Sequence, residues 1–222
     1  MHPKLAALQQ GLDGLGLSLS QDQQVQLLAY LDLIAKWTKV YNLTAVRDAN
    51  EMLTHHLLDS LAVIAPLRRE LAKLPQPAVA PDAPSMFSLL DVGAGAGLPG
   101  IVIAITCPDI AVTCVDTVAK KAAFIQQVAA TLKLPNLKGL HARVESLTQP
   151  FDVVCSRAFA SLIDFTIWSR SALAPHGVWM AMKGKHPHDE LAVLPASTSV
   201  FHVEQLQVPG LDAERCIVWM RG

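Results

Sequence analysis

Residues 89–100 read LLDVGAGAGLPG. Leu89, Leu90 and Val92 form a short apolar run, and Gly93, Gly95, Gly97 and Gly100 follow at once. Glycine has no Cβ, so it is used where the backbone takes positive φ or lies close against something. In open α/β sheets, ligands bind at the carboxyl ends of the strands. The stretch therefore predicts an α/β fold with a nucleotide-type cofactor lying against a loop after the first strand. Tight packing of the strand on the next helix is the competing explanation, and glycines alone do not exclude it.

The flanking sequence agrees with an α/β domain. FSLLDV (87–92), AVTCVD (111–116), NLKGLH (136–141), FDVVCS (151–156) and VWMAMK (178–183) read as short strands. Helical segments are expected near 98–106, 118–132 and 161–173, and strands alternating with helices make a parallel sheet covered on both faces. STSVFHVEQLQV and ERCIVWMR, joined by PGLDA, predict an antiparallel hairpin at the C-terminal edge. Before the sheet, apolar residues at helical spacing run through 20–41, with Ser20 and Gln23 as a capping box. A second helix is expected from Asp48 through Ile64. Residues 1–72 thus read as a helical extension, 73–86 as a linker marked by Pro75, Pro77, Pro81 and Pro84, and 87–222 as the cofactor-binding domain.

The glycine register narrows the cofactor. A dinucleotide fingerprint starting at Gly93 requires glycine at 98, where the chain has Leu98. The alternative register, Gly95-Gly97-Gly100, starts late and encloses Pro99. The pattern D-x-G-x-G-x-G, the loop of class I methyltransferases, fits better, with Gly93, Gly95 and Gly97 against the cofactor. Asp116 closes the second strand, where a carboxylate accepts the ribose hydroxyls of an adenosine.

Several blocks outside this loop carry a resemblance. YNLTAVRD (41–48), HHLLDSL (55–61), LLDVGAGAGLPGI, SRAFASL (156–162) and MKGK (182–185), in that order, resemble the GidB/RsmG family of bacterial 16S rRNA guanine-N7 methyltransferases. The resemblance implies a Rossmann-like class I methyltransferase: a mostly parallel seven-stranded sheet with the hairpin edge and the helical extension. It also implies S-adenosylmethionine as cofactor and 16S rRNA of the small ribosomal subunit as partner. Carried over residue by residue, it puts Gly93, Leu98, Val144, Glu145 and Arg157 at the cofactor, with Val144 and Glu145 beside the adenine. It suggests a monomer, and implies that Asn42 and Asp59 brace the extension against the site.

Guanine N7 already carries an in-plane lone pair, so its methylation needs alignment rather than a base. In keeping, the sequence has no [DN]-P-P-[FY] motif and no Pro-Cys nucleophile, and no catalytic base is named. Arg47, His56, Lys183 and Lys185 are candidate RNA contacts, with Lys36, Lys39 and His55 near them in sequence. The net charge of −1 means that an RNA-binding face must be local. Cys107, Cys114, Cys155 and Cys216 have neither zinc spacing nor C-x-x-C pairing and are expected as small buried hydrophobes. With no leader-like or bilayer-length apolar segment in view, a cytoplasmic protein is expected. An NAD(P)-dependent oxidoreductase and an inactive nucleotide- or RNA-binding module are the alternatives. Leu98, and tyrosines only at 30 and 41, ahead of the loop, speak against the first.

Overall fold

The structure, a computed structural model, describes residues 2–41, 43–44, 46, 48–77 and 86–222. Asn42, Arg47 and most of the proline-bearing stretch lie outside the described residues. The chain opens with helices α1 (Leu5–Gly14) and α2 (Gln21–Tyr41). The capping box forms: Ser20 Oγ accepts the Gln23 N–H at 3.2 Å, and Gln23 Oε1 accepts the Ser20 N–H at 3.0 Å.

The next helix differs from its expected form. Asp48 opens it, with Oδ1 accepting the Glu51 N–H at 3.3 Å. It then runs as α3 (Ala49–Met52), a π-helical stretch (Leu53–Leu58) and α4 (Asp59–Leu61), followed by α5 (Ile64–Leu71). A π insertion adds a residue to the turn and changes which side chains follow the buried face; such insertions are frequent at functional sites. Here His56 and Asp59 are both buried.

The sheet follows: β1 (Phe87–Val92), α6 (Gly100–Thr106), β2 (Ile110–Asp116), α7 (Ala119–Thr131), β3 (Leu137–His141), β4 (Phe151–Arg157), α8 (Leu162–Trp168), β5 (Leu173–Lys183), α9 (His188–Ala192), β6 (Ser199–Leu206) and β7 (Arg215–Arg221). Seven strands are ordered β3-β2-β1-β4-β5-β7-β6. β1 to β5 are parallel, and β7 runs antiparallel between β5 and β6. One helix is shorter than expected and its strand longer, because Leu173 already pairs with Phe151, with an irregularity before Val153. Pro175 and Gly177 fall within the strand, which the irregularity accommodates.

Strand alternation divides the core. Leu89, Val112, Cys114 and Val153 face α6, α7 and the N-terminal helices, whereas Leu90, Val92, Val115 and Val154 face α8. α2 is fastened to the sheet layer by polar side chains as well as apolar ones. Gln23 Nε2 donates to the Ile105 and Thr106 carbonyls at 3.0 and 3.2 Å, and Gln26 Nε2 to the Leu132 carbonyl at 3.0 Å. These are carbonyls at the ends of α6 and α7, which have no partner within their own helices. All four cysteines are buried and free. Among the described residues, no helix is long and apolar enough to cross a membrane.

Candidate functional site

The β1 and β4 ends form the point where the sheet order changes direction, since β2 and β3 lie on one side of β1 and β4 onward on the other. The glycines there serve two different purposes. Gly93, Gly95 and Gly97 have φ of +64°, +59° and +87°, a region that side-chain-bearing residues rarely adopt. Gly100 is there for packing: a Cβ on it would stand 2.4 Å from Cys114 Sγ and 2.8 Å from Asp91 Oδ2. The N–H of Gly100 donates to Asp91 Oδ2 at 2.8 Å, so Asp91 fixes the start of α6 beneath the loop. Burial, the dominant effect, pushes the Asp91 carboxyl up to about 7.

Two clefts open on either side of this loop and share Gly93, Lys121 and Ala158. The first, of about 650 Å³, is bounded by Asp116, Val118, Val144, Glu145, Phe159 and Trp168, among others. Asp116 lies at its floor, with Oδ2 accepting the Gly95 N–H at 3.0 Å and Oδ1 the Val118 N–H at 2.8 Å. A carboxylate has about four lone-pair sites, so two remain for hydroxyls. The side chain that was expected to read a ribose thus also holds the glycine loop in place. Val144 is buried on a 3₁₀ turn (Val144–Ser146), while Glu145 is exposed and pairs with Arg143 at 2.9 Å. The Glu145 carboxyl is held below its usual range by its own backbone N–H first and by Arg143 second.

The second cleft, of about 700 Å³, contains Leu98, His55, His56, Asp59, Arg157, Lys183 and Arg215. Its centre is an ion-pair triad around the buried Asp59. Asp59 Oδ2 accepts from Arg157 Nη1 at 2.8 Å, and Asp59 Oδ1 from Arg215 Nε at 2.8 Å. Arg157 Nη1 also donates to the His55 carbonyl at 2.9 Å. One carboxylate, at the start of α4 just past the π-helical stretch, therefore ties that helix to the end of β4 and the start of β7.

The RNA candidates separate. His56 is buried, with Nε2 3.0 Å from Thr44 Oγ1, and desolvation followed by the Arg157 charge lowers its pKa to about 4. It lines the second cleft without a positive charge at neutral pH, so a contact made there is that of a neutral imidazole. Lys183 is also engaged internally, donating to the Ala160 carbonyl at 3.0 Å and to both Glu190 oxygens at 2.9 and 2.8 Å. Lys185 is exposed, and Arg47 lies outside the described residues.

The donor set fits S-adenosylmethionine. Gly93 lies against the Phe159 ring, where a Cβ would come within 2.1 Å, and a Cβ on Gly95 would meet only the Gly93 carbonyl at 3.9 Å, leaving that backbone open. A carboxylate floor, an apolar wall of Val144, Phe159 and Trp168, and a basic neighbour match an adenosine joined to an amino acid. Three contributors escaped the sequence reading. Phe159 and Trp168, edge to face with centroids 5.9 Å apart, belong to no cofactor motif. Arg215 lies 156 positions from its partner Asp59.

Comparison with known proteins agrees. The family model described as GidB, rRNA small subunit methyltransferase G, matches residues 23–218. A protein of Polaromonas sp. strain JS666, named ribosomal RNA small subunit methyltransferase G, is 71% identical over 96% of this chain and 92% of its own. Its namesake in Acidovorax sp. strain JS42 is 68% identical over 97% and 94%. Among solved structures, a SAM-dependent methyltransferase from Aquifex aeolicus superposes with a TM-score of 0.52 at 15% identity, covering 73% of this chain and 92% of that one. TrmN from Thermus thermophilus gives 0.53 at 16% identity, over 76% of this chain and 53% of its own. These structural likenesses show the fold, and the sequence matches show the family: the chain belongs to the GidB family of rRNA small subunit methyltransferases.

Proposed function

We propose that this protein transfers the methyl group of S-adenosylmethionine to N7 of one guanine in 16S rRNA, acting as a cytoplasmic monomer. One observation carries the reading at the level of the site: the first cleft shares Gly93, Lys121 and Ala158 with a second cleft lined by four cationic side chains. Arg157, Arg215, Lys121 and Lys183 line that cleft; Lys183 is paired with Glu190, and the one lining carboxylate among the described residues, Asp59, is engaged by the two arginines. Such a cavity suits a nucleotide with its phosphate.

Asp116 and Val144 would hold the adenosine, the backbone of Gly93 and Gly95 would lie along the sulfur-bearing chain, and Arg157 would face its carboxylate end. Bound there, the cofactor supplies a methyl group on a positively charged sulfur. The protein's own task is placement. Leu98 and Met182 add apolar surface to the lining of the second cleft. No side chain need take a proton from N7, consistent with Asp59 being committed to arginines and His56 being buried and neutral. We read residues 1–72 as an extension that completes this second cleft, since Leu43, Thr44 and Val46 line it.

The test is to map 7-methylguanine in the 16S rRNA of a strain lacking the gene. Loss at one guanine, restored by the gene in trans, is expected. Full methylation in the deletion strain contradicts the reading.

A further inference from the structure

The C-terminal turn of α2 and the first turn of α7 meet at the rim of the second cleft. Trp37 packs edge-on against Phe124 of α7, with centroids 5.2 Å apart, and Tyr41 leans on Trp37 at 5.1 Å. Lys120 Nζ stands 5.3 Å from the centre of the Tyr41 ring. Tyr41 nevertheless stays 47% exposed; Val40, next to it in sequence, and Val118, two residues before Lys120, are 67% and 44% exposed. Lys121, next to Lys120, lines both clefts, and Leu43, two residues past Tyr41, lines the second. This is an exposed aromatic ring with Lys120 at its face, both close in sequence to residues that line the second cleft.

We infer that Tyr41 is a stacking platform for an rRNA base flanking the target guanine, with Lys120 and Lys121 meeting the adjoining phosphates. The inference rests on the reading of rRNA as substrate. A guanine inside a folded RNA reaches a cleft of this kind only if it is splayed out, which leaves its neighbours unstacked. Proteins meet such bases with exposed aromatic faces and meet the backbone with lysines. Exposed Tyr41 and Lys120 supply both chemistries on one rim, and the local positive charge complements a polyanion despite the net charge of −1.

The experiment measures methyl transfer to small-subunit particles from a strain lacking the modification, with purified wild type, Tyr41→Leu, Tyr41→Phe and Lys120→Ala. Tyr41→Leu should raise KM for the particle about tenfold, since stacking on one base is worth that order. Tyr41→Phe should stay near wild type. Lys120→Ala should lower the slope of log affinity against log salt by about one. Affinity for S-adenosylhomocysteine and the melting midpoint should be unchanged in all three. An unchanged KM in Tyr41→Leu overturns the inference, as does a loss matched by an equal loss of stability, which would make Tyr41 only a packing residue. Independently of turnover, a Tyr41→p-benzoylphenylalanine variant irradiated with particles should attach to rRNA. Attachment to a ribosomal protein instead refutes the RNA platform. A wild type that transfers no methyl group yet attaches to rRNA through position 41 would sink the proposed function and leave this inference standing.

Discussion

Asp59→Asn removes one charge from the centre of the site and keeps the side chain's shape. The carboxylate is 4% exposed, and its two guanidinium partners are 21% and 23% exposed. Removing one member of a buried ion-pair network costs about 3–5 kcal/mol, because the remaining charges are left uncompensated. Both arginines retain some solvent, which places the expected cost at the low end, about 3 kcal/mol. For a chain of this size each kcal/mol lowers the melting temperature by about 2–4 °C, so a fall of roughly 6–12 °C is expected. Thermal melts and urea titrations of Asp59→Asn, Arg215→Met and the double variant complete a cycle. The double variant should be more stable than the sum of the single losses predicts, by at least about 1 kcal/mol. Arg157 would lose its anchor as well, so KM for S-adenosylmethionine should rise. A melting temperature within about 1 °C of wild type, or a coupling below about 0.5 kcal/mol, would refute the claim that Asp59 joins these elements energetically.

Three further outcomes follow from the geometry. Gly93→Ala combines strain at φ +64° with a Cβ only 2.1 Å from the Phe159 ring, so it should weaken S-adenosylhomocysteine binding by at least about tenfold in calorimetry; wild-type affinity would mean that the loop is not held as described. Tyr30→Phe deletes the donor that meets the Ala96 carbonyl at 2.7 Å, and should lower stability by about 1 kcal/mol in urea and loosen the cofactor loop; a neutral result would disconnect α2 from that loop. Burial raises the Asp91 carboxyl from 3.8 to about 7, so the folded state keeps a proton that the unfolded state has released, and stability falls as pH rises between those values. Asp91→Asn should therefore gain on wild type by on the order of 2 kcal/mol between pH 5 and pH 7, and a pH-independent difference would show the carboxylate to be ionised throughout.

What the sequence revealed and what it concealed have physical causes. β1 to β4 and the helices between them were legible because apolar runs, glycine breaks and helical spacing are local signals. Leu98 in the glycine register separated two cofactor classes for the same reason. The π-helical stretch was hidden, since LTHHLLDSL reads as an ordinary helix and the insertion shows only in which side chains turn inward. The start of β5 at Leu173, five residues ahead of the expected strand, was not legible because its pairing depends on β4. His56 reads as a candidate RNA contact, while its burial and its Thr44 partner are set by the fold and carry no local signal. Asp59 was suspected as a brace, but Arg215 carries no motif, and only the sheet order brings the start of β7 to the end of β4. The glycine loop itself combined both initial explanations: Gly93 and Gly95 line the clefts, whereas Gly97 packs against Ile101 and Gly100 against Cys114 and Asp91.

The central claim is that a cofactor cleft and a cationic nucleotide cleft meet at Gly93 to methylate guanine N7. Its most direct test is transfer from methyl-tritiated S-adenosylmethionine by the purified protein to small-subunit particles from the deletion strain. The product is read by borohydride reduction and aniline cleavage, which cut RNA at 7-methylguanine. The account predicts one label per particle and one cleavage site in 16S rRNA. Label on another base or on a protein, or no label with fully competent particles, would contradict it.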